Sequence, residues 1–137
     1  MHDRPVPPAG SRREAREAAL LMIYEADVRA ESPIEVLARV ELEPEPYTRL
    51  VVEGVADRMQ EIDAEISRRL VDWTLDRLPG MDRALLRMST FEMIGCPDVP
   101  TGAILNEAVE LAGEYSTADS GRFVNGVLAS LSKEARA

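Results

Sequence analysis

The sequence contains very few of the side chains on which most enzymes depend. Its 137 residues include one histidine, His2, and one cysteine, Cys96. The sequence therefore offers almost no residues for a catalytic site with a nucleophile beside a histidine base, or for a metal site with histidine ligands. A single cysteine cannot form an internal disulfide, so we expect Cys96 to be a core or loop residue. We also expect the protein to belong to a reducing compartment, the cytoplasm. We expect no enzymatic activity, no metal and no other cofactor.

Long apolar runs and an N-terminal signal are missing as well. No apolar stretch approaches the roughly 20 residues that span a bilayer, and the first ten residues lack the apolar segment of a secretory signal. We therefore expect no membrane interaction. Aromatic residues make up 4% of the chain and hydrophobic residues 45%, which is typical of a soluble helical protein. The length fits one compact domain or two small subdomains that share a core.

The charge is acidic overall but unevenly distributed. The formal net charge of −9 argues against a nucleic-acid surface that covers the whole chain. Residues 31–66 carry ten acidic side chains against three arginines, whereas residues 1–30 carry five of each sign. Within the first thirty residues, Arg12, Arg13 and Arg16 form a compact basic cluster.

Two capping boxes predict helix starts in the first half of the chain. The pair Ser11 and Glu14 predicts that a first helix begins at Ser11, after a disordered arm over residues 1–10. The pair Ser32 and Glu35, with a proline between them, predicts a second, short helix.

Apolar residues continue at helical spacing through the rest of the chain. A long helix is predicted from about Tyr47 to Leu70, where they recur every three or four positions. Three further helices are predicted in the second half, and no segment alternates as a strand would. Trp73 is expected to fill a seam between two halves. We predict one all-α domain of six or seven helices in two packed helical subdomains, residues 11–72 and residues 73–137.

The basic cluster lies at the start of the predicted first helix, where the helix dipole is positive and cations are mildly unfavourable. Arg12, Arg13 and Arg16 in that place suit a phosphate backbone. Tyr24 lies within about 20° of the face of Arg13 and some 16 Å further along, and it suits stacking of an unpaired base. The alternative is that the arginines are solvated or paired with neighbouring glutamates and that Tyr24 is half-buried core. These residues alone leave both interpretations open.

Four segments, spread in one order over nearly the whole chain, form a recognisable series. They are residues 11–20 followed by Ile23 and Tyr24, residues 72–78 with 81–87 and 91–92, residues 99–100 with 105–112, and residues 119–128. The series resembles the NusB family of bacterial transcription antitermination factors, and its middle segment is similar to actinobacterial members.

The resemblance implies a non-enzymatic helical protein that pairs with NusE, a protein of the small ribosomal subunit. The pair would bind boxA, a single-stranded RNA element in ribosomal RNA leaders, and help the transcription elongation complex to read through terminators. The RNA-binding residues that the family pattern implies are Arg12, Arg13, Arg16, Tyr24, Asp119, Ser120, Arg122 and Phe123. Those implied for the NusE interface are Phe91 and Glu92.

Three alternatives stay open at this stage. A NusB-like domain also precedes the catalytic domain of a ribosomal RNA cytosine methyltransferase, so the chain could belong to such an enzyme. A homodimer could occlude the RNA surface. A generic helical interaction module is the third.

Overall fold

The computed structural model describes residues 9–137, and side chains from Arg12 onward. In this part of the chain there are seven α-helices, one short 3-10 turn and no strand, which confirms the predicted all-α class. The helices are α1 (Ala9–Arg29), α2 (Pro33–Arg39), α3 (Pro46–Asp57), α4 (Met59–Ser67), α5 (Gly80–Gly95), α6 (Thr101–Tyr115) and α7 (Ser120–Ala135), and the 3-10 turn is Leu75–Arg77.

The start of α2 confirms the second capping box. The Ser32 hydroxyl accepts a hydrogen bond from the Ile34 amide, and the Glu35 carboxylate accepts one from the Ser32 amide. Pro33 occupies the first helical position, where its missing N–H leaves no intrahelical bond unmade. Local sequence alone therefore fixes this helix start.

The start of α1 differs from the prediction. The helix begins at Ala9, so Ser11 lies inside the first turn and does not precede it. Residues 1–8 of the predicted disordered arm lie outside the described residues.

The long helix predicted over Tyr47 to Leu70 is also wrong, because the chain bends at Arg58 into α3 and α4. Helix-type hydrogen bonds run into and out of the bend, from the Arg58 amide to Gly54 and from the Ile62 amide to Arg58. The apolar stripe continues through it. The bend separates α3, which packs on α1, α2 and α5, from α4, which packs on α5. Periodicity along one helix does not reveal such a change of neighbours.

Helix α5 is the centre of the molecule, because it packs against α1, α3, α4, α6 and α7. Its Leu85, Leu86 and Met88 are almost completely buried, and burying each such side chain is worth about 1.5–3 kcal/mol. These residues belong to one continuous apolar cluster that draws on both halves of the chain. No helix over residues 9–137 is long and apolar enough to cross a membrane.

Trp73 does not fill a seam, and that prediction is wrong. Its side chain is 55% exposed, and Val71 beside it is exposed too. Between them Asp72 has a φ of 64°, in the left-handed region that aspartate tolerates better than most residues. The space between the halves is filled by the apolar residues of α5 instead.

Candidate nucleic-acid interface

The arginines at the start of α1 have close aromatic and acidic partners. The guanidinium of Arg12 lies 4.1 Å from the ring centroid of Tyr47, the second residue of α3, and that of Arg16 lies 5.6 Å from it. A guanidinium over an aromatic face gains about 0.5–1 kcal/mol at an exposed site. Tyr47 therefore holds the start of α1 against α3.

Arg13 points toward α6 and meets three carboxylates there. Its Nη1 lies 3.0 Å from Oε1 of Glu110 and its Nη2 lies 2.8 Å from Oε2 of Glu114. Its Nε lies 3.8 Å from Glu107. Partial burial lowers the pKa of Arg13, but the hydrogen bonds to Glu114 and Glu110 outweigh that effect and raise it. Arg13 therefore carries a permanent positive charge and lies on the surface between α1 and α6.

Arg16 is buried and paired with Glu92 of α5. Its Nε donates to both carboxylate oxygens of Glu92, at 3.1 and 2.9 Å. The Tyr47 hydroxyl donates to the same carboxylate. Burial raises the pKa of Glu92, although the charge of Arg16 and the bond from Tyr47 oppose this. Arg16 and Glu92, predicted for two different surfaces, thus form one internal ion pair that neither an RNA nor a protein can reach while this packing holds.

Tyr24 is partly buried and lies five residues before the end of α1. Its ring packs over Gly80 at the start of α5, so closely that a Cβ added at Gly80 would lie 3.0 Å from the ring. One part of the ring therefore supports the α1–α5 contact, and the rest is accessible to solvent.

The start of α7 presents a mixed polar and aromatic surface. Asp119 and Arg122 are exposed and Phe123 is partly exposed, whereas Ser120 is buried. The hydroxyl of Ser120 donates to Oδ2 of Asp82 in the first turn of α5 at 3.1 Å. Ser120 therefore positions the start of α7.

Asp82 ties α5 to the whole connection between α6 and α7. Its second carboxylate oxygen accepts a hydrogen bond from the Ser116 hydroxyl, and the Thr117 amide donates to Ser120 at 3.2 Å. Sequence reasoning missed this role of Asp82, because its partners lie 34 and 38 residues further along the chain. The pattern offered no signal for it.

Helix α6 brings α1 and the start of α7 to the same end of the molecule. The Tyr115 hydroxyl donates to Glu17 of α1 at 2.7 Å, one turn after Arg13. The connection to α7 follows directly after Tyr115. Arg13 and the exposed residues of α7 therefore flank the C-terminal end of α6, whereas the Arg12 side chain faces Tyr47 of α3.

Phe91, predicted for a protein interface, is buried on α5. Its ring covers Gly54 of α3 and Gly95 of its own helix so closely that a Cβ on either glycine would overlap the ring. The ring forms the floor of a groove of about 570 Å³ that is also lined by Ile34 and Leu50. Because Phe91 lies at the bottom of this groove, a molecule that enters it would first contact the residues at the rim.

Metal-binding geometry is not found in the described part of the chain, where no group of three His, Cys, Asp or Glu side chains is placed to hold an ion. The site as it stands offers guanidiniums, aromatic rings and hydroxyls. These are groups that bind and orient, and they are the groups expected at an RNA surface.

Comparison with known families decides where this arrangement belongs. A model of the NusB family matches residues 13–133. The chain belongs to the NusB family. The matched range includes every residue predicted for RNA or NusE binding except Arg12, which directly precedes it.

Two relatives named transcription antitermination protein NusB match about nine tenths of the chain. The protein from Kineococcus radiotolerans is 43% identical over 127 residues, which are 90% of this chain and 93% of that protein. The protein from Acidothermus cellulolyticus is 44% identical over 125 residues, which are 88% of this chain and 86% of that protein.

Solved structures of NusB share the fold. NusB from T. maritima superposes with a TM-score of 0.82 at 31% identity, covering 96% of this chain and 94% of that one. A chain in a crystal structure of the antitermination factors NusB and NusE in complex with dsRNA superposes with a TM-score of 0.80 at 29% identity. In that case 93% of this chain and 99% of the other are covered.

Proposed function

We propose that this NusB-family chain is a transcription antitermination factor that binds RNA together with NusE. The observation that carries the proposal is the similarity to a chain from a complex of NusB, NusE and dsRNA, of which 99% is covered. Its role would be to bind boxA RNA in ribosomal RNA leaders and to promote readthrough by the transcription elongation complex in the cytoplasm. No catalytic step is part of this role.

The proposed RNA surface lies on α1 and the start of α7, on either side of the end of α6. Guanidiniums provide contacts to phosphate, aromatic rings stack on unpaired bases, and a carboxylate can accept from a base edge. The residues proposed for direct contact are Arg12, Arg13, Tyr24, Asp119, Arg122 and Phe123. Arg16 and Ser120 are buried, so we propose that they support this surface from beneath.

NusE is the proposed protein partner, and charge supports it. Ribosomal proteins are generally basic, and the ten acidic residues of the 31–66 segment would speed and orient the approach of a basic partner. The groove above Phe91 lies in the same region, and its rim includes the acidic Glu53 and Asp57. We propose Phe91 as the floor of a contact and Glu92 as its internal support.

Light scattering after size-exclusion chromatography tests the proposed assembly. The chain is mixed with NusE, with boxA RNA, and with both. We expect one complex that contains one copy of each component. A species of twice 15.1 kDa that takes up neither RNA nor NusE would instead support the occluded homodimer.

A separate experiment tests whether the chain binds single-stranded or double-stranded RNA. The RNA in the related complex is double-stranded, whereas boxA is expected to be single-stranded. Single-stranded boxA, the same sequence in a duplex, and a scrambled strand are compared at one salt concentration. We expect the single strand to bind most tightly. Equal binding of the duplex would replace the single-strand proposal with recognition of duplex shape.

The methyltransferase alternative receives less support. The relatives named NusB align over 93% and 86% of their own lengths, so the similarity is to proteins of about this size.

A further inference from the structure

A row of three glutamates on α6 faces the arginine that is proposed to bind phosphate. Glu107, Glu110 and Glu114 are spaced by three and four residues, which places them on one face of the helix. Their carboxylates surround Arg13, at 3.8 Å for Glu107, 3.0 Å for Glu110 and 2.8 Å for Glu114. We call these three residues the α6 acidic row.

The α6 acidic row presents Arg13 with the same chemistry as an RNA backbone. Carboxylate and phosphate oxygens both accept charge-assisted hydrogen bonds from a guanidinium, often two at once. In the free protein each of the two terminal nitrogens of Arg13 has a carboxylate oxygen at hydrogen-bond distance. Each terminal nitrogen carries a second N–H group, so a phosphate that binds beside the carboxylates meets their negative charge. Displacing one of them removes that repulsion and frees an N–H of Arg13 for the phosphate.

We propose that the α6 acidic row competes with RNA phosphate for Arg13, and that Glu110 and Glu114 thereby set the RNA affinity of the free protein. This inference rests on the proposed function, since it takes Arg13 to be a phosphate contact. It assigns to α6 a part in RNA binding through displacement and not through contact.

Solvent exposure allows a phosphate to replace a carboxylate at Arg13, whereas burial prevents such a replacement at Arg16. The side chain of Arg13 is 27% exposed, and those of Glu110 and Glu114 are 45% and 49% exposed. Exposed ion pairs contribute little to stability, so opening this one costs little. The ion pair of Arg16 and Glu92 is sealed in the interior, where losing one partner leaves a buried charge.

The balance of charge around the helix start supports the same inference. Two of the three guanidiniums are in contact with four carboxylates, since Glu92 pairs with Arg16 and the α6 acidic row surrounds Arg13. The third guanidinium, that of Arg12, lies over the ring of Tyr47. The cluster that is basic in the sequence is therefore not basic in the fold. Displacing or neutralising carboxylates of α6 restores its positive charge.

A double-mutant cycle tests the inference. The probe is a labelled boxA RNA, and its dissociation constant is measured by fluorescence anisotropy for wild type, Glu114→Gln, Arg13→Ala and the double variant. We expect Glu114→Gln to tighten binding about two- to fivefold, the range that corresponds to one exposed ion pair. In the Arg13→Ala background the same substitution should change nothing, because the arginine that it releases is absent. Glu110→Gln should behave in the same way.

Glu61→Gln is the matched control. Glu61 forms an exposed pair with Arg58 at 2.9 Å on α4, so its loss changes the net charge equally but frees no arginine of α1. We expect its effect on RNA affinity to be much smaller than that of Glu114→Gln. Thermal melting of every variant checks that the fold is retained.

The outcomes separate the inference from the function on which it rests. Wild-type RNA affinity in Arg13→Ala would refute the phosphate contact itself. A second outcome would refute only the competition. In it, Arg13→Ala binds RNA more weakly than wild type, yet Glu114→Gln still increases the RNA affinity of Arg13→Ala as much as that of wild type. General repulsion of RNA by Glu114 would then explain the increase. If neither Glu110→Gln nor Glu114→Gln increases RNA affinity in the wild-type background, the competition is also refuted.

Discussion

The Nε of Arg16 on α1 and the carboxylate of Glu92 on α5 form an ion pair that is closed off from solvent, with distances of 3.1 and 2.9 Å. Tyr47 adds a hydroxyl bond to the same carboxylate, and its ring lies under Arg12. The first turns of α1 are thereby fixed to the central helix. Arg16 also lies 4.0 Å from Glu107 of α6, but it is buried, so Arg13 is the arginine whose α6 partners can exchange with solvent or a ligand.

We expect Arg16→Ala to destabilise the protein by about 3–5 kcal/mol, because it leaves the buried carboxylate of Glu92 unpaired. Urea denaturation measures the change. The double variant Arg16→Met with Glu92→Leu removes both charges, so it should be markedly more stable than Arg16→Ala. A loss below about 1 kcal/mol for Arg16→Ala, the range of a surface pair, would show that the pair is not buried in solution.

We expect Arg13→Ala to weaken RNA binding and to lower the slope of log affinity against log salt by about one unit, as loss of one phosphate contact does. Its effect on stability should stay below about 1 kcal/mol, since the pairs it breaks are partly exposed. Arg58→Ala, which also removes an exposed ion pair, is the control and should leave the slope unchanged. An unchanged slope for Arg13→Ala would refute the phosphate contact.

We expect Gly54→Ala to destabilise the protein by about 1–3 kcal/mol, because the new methyl group would overlap the buried ring of Phe91. Gly126→Ala is the matched control. It also lies within a helix, but a Cβ there meets nothing within 4 Å, so replacing glycine should stabilise α7 by about 0.5–1 kcal/mol. Thermal melting compares the two, and opposite signs are expected. Stabilisation by both alanines would contradict the close contact of Phe91 with α3.

We expect Trp73→Ala to change the free energy of unfolding by no more than about 0.5 kcal/mol, as for other exposed sites. The side chain is 55% exposed, so little burial is lost. Quenching of the single tryptophan by acrylamide gives a second measurement and should be efficient in the native protein. A loss of several kcal/mol together with a protected fluorophore would restore the seam-filling role.

Features that are encoded locally could be predicted from the sequence. The all-α class and the start of α2 follow from apolar spacing and from the Ser32 and Glu35 capping box, which act within a few residues. The resemblance of four segments indicated the family. These predictions needed no knowledge of which helix faces meet.

Features that depend on distant neighbours could not be predicted. Arg16 and Glu92 lie 76 residues apart, and nothing near either residue signals that they pair. The bend at Arg58 arises where one apolar stripe changes its packing partners. The sequence suggested neighbouring glutamates on α1 as possible partners of Arg13, but not the three on α6, since helix periodicity does not say which helix covers a given face.

The affinity of this chain for boxA RNA relative to a scrambled RNA, measured by fluorescence anisotropy in the presence of NusE, tests the central claim most directly. The account predicts selective binding of boxA that is tighter with NusE than without it. Equal affinity for the two RNAs, both with and without NusE, would contradict it.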